Sequence, residues 1–243
     1  MKHLSMMIAC VTGLLAGCQS LPAPAPGLAS IRVRVTAEPK AGAALAADSG
    51  GTYEGPATRD LGSGSFERVD YQELDEIVVW LEPAGDGAAA GTMGPVTIEV
   101  AAKKSGMAVG KAVSVGQRFN LRNAGEQSGT FYSVSDGNEV DLGTIAAGGQ
   151  GGFIVRSTGL IEILSEGWKD PVARVYAVPS RWVSVARAGS NVDFIDVPPG
   201  KYKLASWHPR LPGYEVDVKL SANQVSAATI KVGVNALPKV GPR

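Results

Sequence analysis

The chain has 243 residues, 44% of them hydrophobic, and balances 23 Lys and Arg against 23 Asp and Glu, with 15 Pro and 31 Gly. No basic stripe stands out, which argues against a nucleic-acid partner. The only cysteines are Cys10 and Cys18, so no disulfide can staple the folded region, and packed apolar cores must hold it together.

The first 17 residues, "MKHLSMMIACVTGLLAG", carry Lys2 followed by an uncharged, glycine-interrupted apolar run. About 20 apolar residues are needed to span a bilayer, so residues 1–17 fit a cleaved signal peptide. "LAGC" ending at Cys18 resembles the bacterial lipobox. The resemblance implies diacylglycerol and palmitate-type acylation at Cys18, which is then the anchor and carries the chain's one covalent lipid. Gln19 rather than Asp follows it, which favours the outer membrane, with the domains periplasmic. The Pro- and Ala-rich run to residue 29 reads as a tether, either an extended spacer or a disordered leader.

Beyond residue 30 almost every apolar cluster reads as strand. "IRVRV" (31–35), "VTIEV" (96–100), "VDVKL" (216–220) and "TIKVGV" (229–234) alternate with period two. "IVVWLEP" (77–83) is a continuous apolar run, predicting a strand buried on both faces. "NAGE", "SDGN", "AAGGQGG" and "VPPG" supply the turns. Residues 37–70, rich in Gly and Ala, read as a mobile excursion. A composition shift near Pro179 and Ser180 predicts a boundary between β units at 30–179 and 180–235, with a tail at 236–243. The fold class expected is all-β, two sandwiches in one chain.

The order "IVVWLEP", "VSVGQRFNLRN" (113–123), "GTFYS" (129–133), "VDLG" (140–143) and "GLIEILSEGWKDP" (159–171) resembles the cupredoxin-like domain of methylamine-utilisation-like bacterial proteins. "FIDVPPGKYKLASWHP" (194–209) resembles a small transthyretin-like or carboxypeptidase-regulatory-like module, a carbohydrate-binding-like fold. The first resemblance implies a Greek-key sandwich with a copper site of two His, one Cys and one Met. Position by position, those ligands fall on Gly129, Ser165, Trp168 and Pro171, and none can serve. With Cys18 consumed by lipid and His208 the only histidine of the mature chain, no such site can be assembled, so no metal cofactor is expected.

Glu166, Trp168, Lys169 and Asp170 occupy the loop that would wrap the ion. Trp168 is either an aromatic anchor for a partner or a plug in the former metal pocket. Trp207 and His208 form either a recognition feature or a structural corner of the second unit. His208 lacks the G-x-S-x-G companion of a hydrolase, and the glycine-rich 146–152 lacks the helix of a phosphate cradle. Asp193 and Asp196, three apart on one strand, face opposite sides unless a bulge intervenes.

The expected function is non-catalytic: a lipid-anchored envelope scaffold or binding protein, its partner an envelope protein or glycan. One alternative is carbohydrate binding through Trp182, Tyr202, Trp207 and Tyr214 on one exposed face. The other is copper handling through Met93, Met107 and His208.

Overall fold

The computed structural model describes residues 21–38, 71–85, 93–100 and 108–233. Cys18, the signal peptide, most of the 37–70 excursion, Met107 and the 236–243 tail lie outside them. The described residues form fifteen strands and no helix. In chain order they are β1 (Ala29–Ala37), β2 (Ile77–Pro83), β3 (Val96–Val100), β4 (Ala108–Ser114), β5 (Arg118–Asn123), β6 (Gly129–Ser133), β7 (Val140–Ile145) and β8 (Gln150–Ile154). They continue with β9 (Gly159–Ser165), β10 (Ala173–Val178), β11 (Trp182–Ala186), β12 (Asn191–Val197), β13 (Gly200–His208), β14 (Leu211–Leu220) and β15 (Val225–Val232). The chain is all-β.

Four sheets build two sandwiches. In one, the sheet β12-β1-β15 faces the sheet β11-β2-β13-β14; in the other, β4-β10-β9-β6-β7 faces β3-β5-β8. Ile31, Val33 and Val35 of β1 close the first core with Ile77, Val79, Leu81, Leu204 and Ile230. Phe119, Leu121, Phe131, Ile161, Ile163 and Val175 fill the second.

This partition corrects the sequence reading at one point. Between β10 and β11, at residues 179–181, the chain passes from one sandwich to the other. Yet β1 and β2, assigned to the 30–179 unit, pair with strands of the other sandwich. β1 lies antiparallel to β12 and parallel to β15, and β2 lies between β11 and β13. Leu81 pairs with Trp182 and Ile77 with Ala186, so β2 and β11 form the two arms of a hairpin. The whole second sandwich, β3 to β10, is inserted at its tip. Strand patterns report burial but carry no information about partners so distant in sequence, so the pattern alone does not join the two arms.

The strand predicted to be buried on both faces is β2. Ile77, Val79 and Leu81 enter the first core, while Val78 and Trp80 point the other way and meet Val178, Ala205, Tyr176, Val183 and Trp207. This third apolar cluster joins the sandwiches. Tyr176 stacks on Trp207 with centroids 4.1 Å apart, and Trp80 lies 6.0 Å from Tyr176.

The crossing strap is pinned from both sides. Ser180 donates its hydroxyl to the Leu81 carbonyl in a short hydrogen bond, and its own carbonyl accepts from Ser114 Oγ at 2.6 Å. The predicted turns rest on two buried asparagines. Asn123 Nδ2 donates to the Gln127 and Ile145 carbonyls at 2.8 and 2.9 Å. Asn138 accepts from Arg156 N–H at 2.9 Å and donates to the Ser157 carbonyl at 2.9 Å.

Candidate functional site

Of the four positions to which the resemblance assigns copper ligands, Gly129 starts β6, Ser165 ends β9, and Trp168 and Pro171 lie in the loop that follows. Phe131 of β6 pairs with Ser165 of β9, and the Glu166 N–H donates to the Thr130 carbonyl at 3.1 Å. Gly129 therefore starts β6 beside the hairpin loop 166–171 that joins β9 to β10. The donor chemistry does not fit copper. Gly129 has no side chain, Ser165 offers a hydroxyl that is 2% exposed, Trp168 carries only an N–H donor, and Pro171 has no donor atom. Among the described residues no three His, Cys, Asp or Glu side chains gather closely enough to hold a metal ion.

Trp168 projects from the hairpin tip with 41% of its surface exposed, between the exposed Glu166, Lys169 and Asp170. The chain is closed beneath it by Trp168 N–H to the Ser165 carbonyl at 3.2 Å and Val172 N–H to the Ile163 carbonyl at 2.8 Å. Phe131, Ile161 and Ile163 belong to the buried core of this sandwich, whereas Trp168 is exposed. Next to it, Glu166 rims a shallow open groove on the β6 and β7 face, lined also by Thr130, Tyr132, Val134 and Asp141.

Trp207 and His208 lie on opposite faces of β13. Trp207 is half-buried against Tyr176. His208 is 5% exposed. Its Nδ1 accepts the Arg210 backbone N–H at 3.1 Å, which assigns the proton to Nε2 in the neutral ring. Burial and the nearby Arg210 charge lower its pKa, and Asp75 opposes them. His208 thus holds the turn that follows β13, and Trp207 packs against the inserted sandwich.

The four aromatics of the carbohydrate alternative do not share an exposed face. Tyr202 is 5% exposed, its hydroxyl donating to the Pro198 carbonyl at 2.8 Å. Trp182 meets Tyr202 edge-on at 5.8 Å, and Tyr214 packs on the same core. Trp207 belongs to the opposite side of the sheet. Of the copper-handling set, Met93 Sδ sits 2.9 Å from Ser114 Oγ in the inserted sandwich, while His208 ends β13 in the other.

Sequence reasoning missed the cleft between the sandwiches, where Glu76, Lys111, Arg174 and Tyr176 meet Trp207. Burial and the neighbouring Asp75 charge raise the Glu76 pKa, with Arg174 opposing, and burial raises that of Tyr176. The cleft encloses about 10 Å³, room for one water at most. It is a seam rather than a ligand pocket. Asp193 and Asp196 serve separate ends: Asp193 grips Arg32 at 2.7 and 2.8 Å, and Asp196, at φ 55°, accepts the Ala25 N–H at 2.7 Å.

Neither a protein-family profile nor a curated protein sequence matches the chain. Parts of it are similar to solved structures of amicyanin mutants. A reduced Cu(I) form at pH 4 is 13% identical over 37% of this chain and 89% of that one, with a TM-score of 0.28. An oxidized mutant is 12% identical over 41% and 99%, also at 0.28. The Cu(I) form of a third is 14% identical over 41% and 99%, at 0.27. The all-β assignment rests on the strands and their pairing.

Proposed function

We propose that this protein is a non-catalytic scaffold or binding protein of the bacterial envelope, anchored at the outer membrane through lipid on Cys18. In this reading the inserted sandwich is a copper-free cupredoxin-like domain, and the sandwich that carries it is transthyretin-like. The observation that carries the proposal is Trp168: a large aromatic, 41% exposed at the tip of a hydrogen-bonded hairpin. Trp is enriched among the hot-spot residues that anchor protein interfaces. The partner is an envelope protein that accepts an indole and the Lys169 and Asp170 charges beside it.

The test is crosslinking in intact envelopes, comparing the natural protein with Trp168→Ala. Loss of a specific crosslinked species, with the variant folded to the same extent, supports recognition. An unchanged crosslinking pattern overturns the role given to Trp168. Membrane fractionation of Cys18→Ser tests the anchor separately, since a protein still held in the outer membrane without Cys18 removes lipid from the account.

A further inference from the structure

The Pro- and Ala-rich run read as a tether, an extended spacer or a disordered leader, is docked over its last residues. Ala25 N–H donates to Asp196 Oδ1 and Gly27 N–H to Asn223 Oδ1, both at 2.7 Å. Asn223 N–H returns a bond to the Leu28 carbonyl at 2.6 Å, and Ser30 N–H donates to the Gln224 carbonyl at 3.0 Å. Asp196 and Asn223 both sit in the left-handed region, at φ 55° and 60°, which Asp and Asn tolerate better than most residues. The last residues of β12 and the turn between β14 and β15, at one end of the carrying sandwich, thus hold the chain as it enters β1.

We infer that this end of the molecule lies on an anionic lipid surface and that the Trp168 hairpin is presented at the opposite end. The inference rests on the proposed lipidation of Cys18. Only residues 19–24 separate Cys18 from the clamped Ala25; fully extended at ~3.5 Å per residue, the chain between them reaches roughly 25 Å. The clamped end therefore cannot leave the bilayer by more than about that length.

The surface there suits the site. Pro198, Pro199 and Ala222 are exposed, and Lys201 stands directly opposite Lys219 across β13 and β14. Like charges facing each other across strands destabilise a sheet. Lys203 meets Glu215 at 3.1 Å and Lys231 meets Glu38 at 3.2 Å. Lys201 and Lys219 have no such carboxylate among the described residues. A layer of anionic headgroups supplies the missing counter-charge.

The far end follows from strand direction. Glu76, just before β2, shares the inter-sandwich cleft with Arg174 at the start of β10. Leu81, near the end of β2, is bonded to Ser180, just after β10. The two strands therefore run the same way. Tyr202 of β13 pairs with Pro83, so β2 ends toward the lysines and starts away from them. The 166–171 hairpin, which precedes β10, lies at the remote end. A nine-residue strand such as β13 is about 30 Å long.

The mature protein has no free thiol once Cys18 is a thioether, so single cysteines can be labelled cleanly. Full-length lipidated Ala222→Cys and Lys169→Cys proteins, each carrying a donor dye, are reconstituted in phosphatidylcholine vesicles containing an acceptor headgroup lipid, with and without phosphatidylglycerol. Energy transfer is expected to be several-fold stronger from position 222 than from 169. Adding Lys201→Glu and Lys219→Glu is expected to reduce transfer from 222 in the anionic vesicles only. Equal transfer from both positions in protein that floats with the vesicles overturns the orientation while leaving the anchor intact. Charge reversal without effect overturns the headgroup contact. Protein that neither floats nor shows the mass of added acyl chains overturns the anchor, and this inference with it.

Discussion

Tyr176 and Trp207 stack 4.1 Å apart with planes 15° from parallel, and they belong to different sandwiches. Tyr176 sits on β10 of the inserted unit and Trp207 on β13 of the unit that carries it, so this contact joins parts of the chain that could otherwise fold apart. Trp207→Ala is expected to destabilise the protein by about 2–4 kcal/mol, somewhat below the cost of about 3–5 kcal/mol for a fully buried Phe or Trp because Trp207 is only half-buried. A double-mutant cycle with Tyr176→Ala in urea is expected to give a coupling of about 1 kcal/mol. A coupling indistinguishable from zero means the rings touch without holding the units together.

Ser180 bridges the same seam through polar atoms. Its hydroxyl donates to the Leu81 carbonyl and accepts the Trp182 N–H at 3.1 Å, in a site 3% exposed. Ser180→Ala leaves those groups short of a partner where water does not reach, at a cost of about 1–3 kcal/mol. Ser190, whose hydroxyl bonds the exposed Arg187 turn, is the control: Ser190→Ala should shift the urea midpoint far less. Equal shifts would show that the seam does not depend on Ser180.

His208 makes stability depend on pH in a stated direction. Burial and Arg210 lower its folded-state pKa from 6.5, so the unfolded chain binds the proton more readily. Stability is then greatest above 6.5 and falls as pH drops from there toward the lower folded value. Protonation also displaces the Arg210 N–H from Nδ1. Urea midpoints at pH 7.5 and 5.5 should differ in the natural protein, and the difference should shrink in His208→Gln. An unchanged difference assigns the pH dependence to other groups.

Gly152 separates the two meanings of the glycine-rich stretch 146–152. Ala146 to Gly149 form the turn, with Gly148 at φ 72°, whereas Gln150 opens β8 and leads into Gly151 and Gly152. A Cβ on Gly152 would collide with the Phe119 carbonyl and Asn120 of the neighbouring β5. Gly152→Ala is therefore expected to cost more than about 2 kcal/mol, read from thermal unfolding. Gly94→Ala, where a Cβ meets nothing within 4 Å, should be close to neutral. Similar midpoints for the two variants would show that β5 and β8 can part to admit the methyl group.

Much of the fold was legible because burial alternates along a strand. "VTIEV" is β3 residue for residue, and the unbroken "IVVWL" run announced a strand with apolar layers on both sides, which β2 has. The turns around Asn123 and Asn138 were legible for a similar reason, since short polar side chains that close turns are local chemistry. The exposed Trp168 and the clamp at Ala25 were not. Whether an indole faces solvent, and whether Asp196 reaches a backbone N–H 171 residues away, depends on which strands lie next to one another.

The amino-acid sequence by itself determined that the described residues are β, where their strands and turns fall, and that no cysteine lies beyond Cys18, because composition and two-residue periodicity are local properties. Only the tertiary structure decided that β1 and β2 belong with β11–β15, that the second sandwich is inserted at the tip of the β2–β11 hairpin, and that Tyr176 and Trp207 close the seam between them. Strand pairing is made by backbone groups that every residue carries, so its register across a hundred intervening residues is selected by the packing of whole sheets rather than by any local pattern.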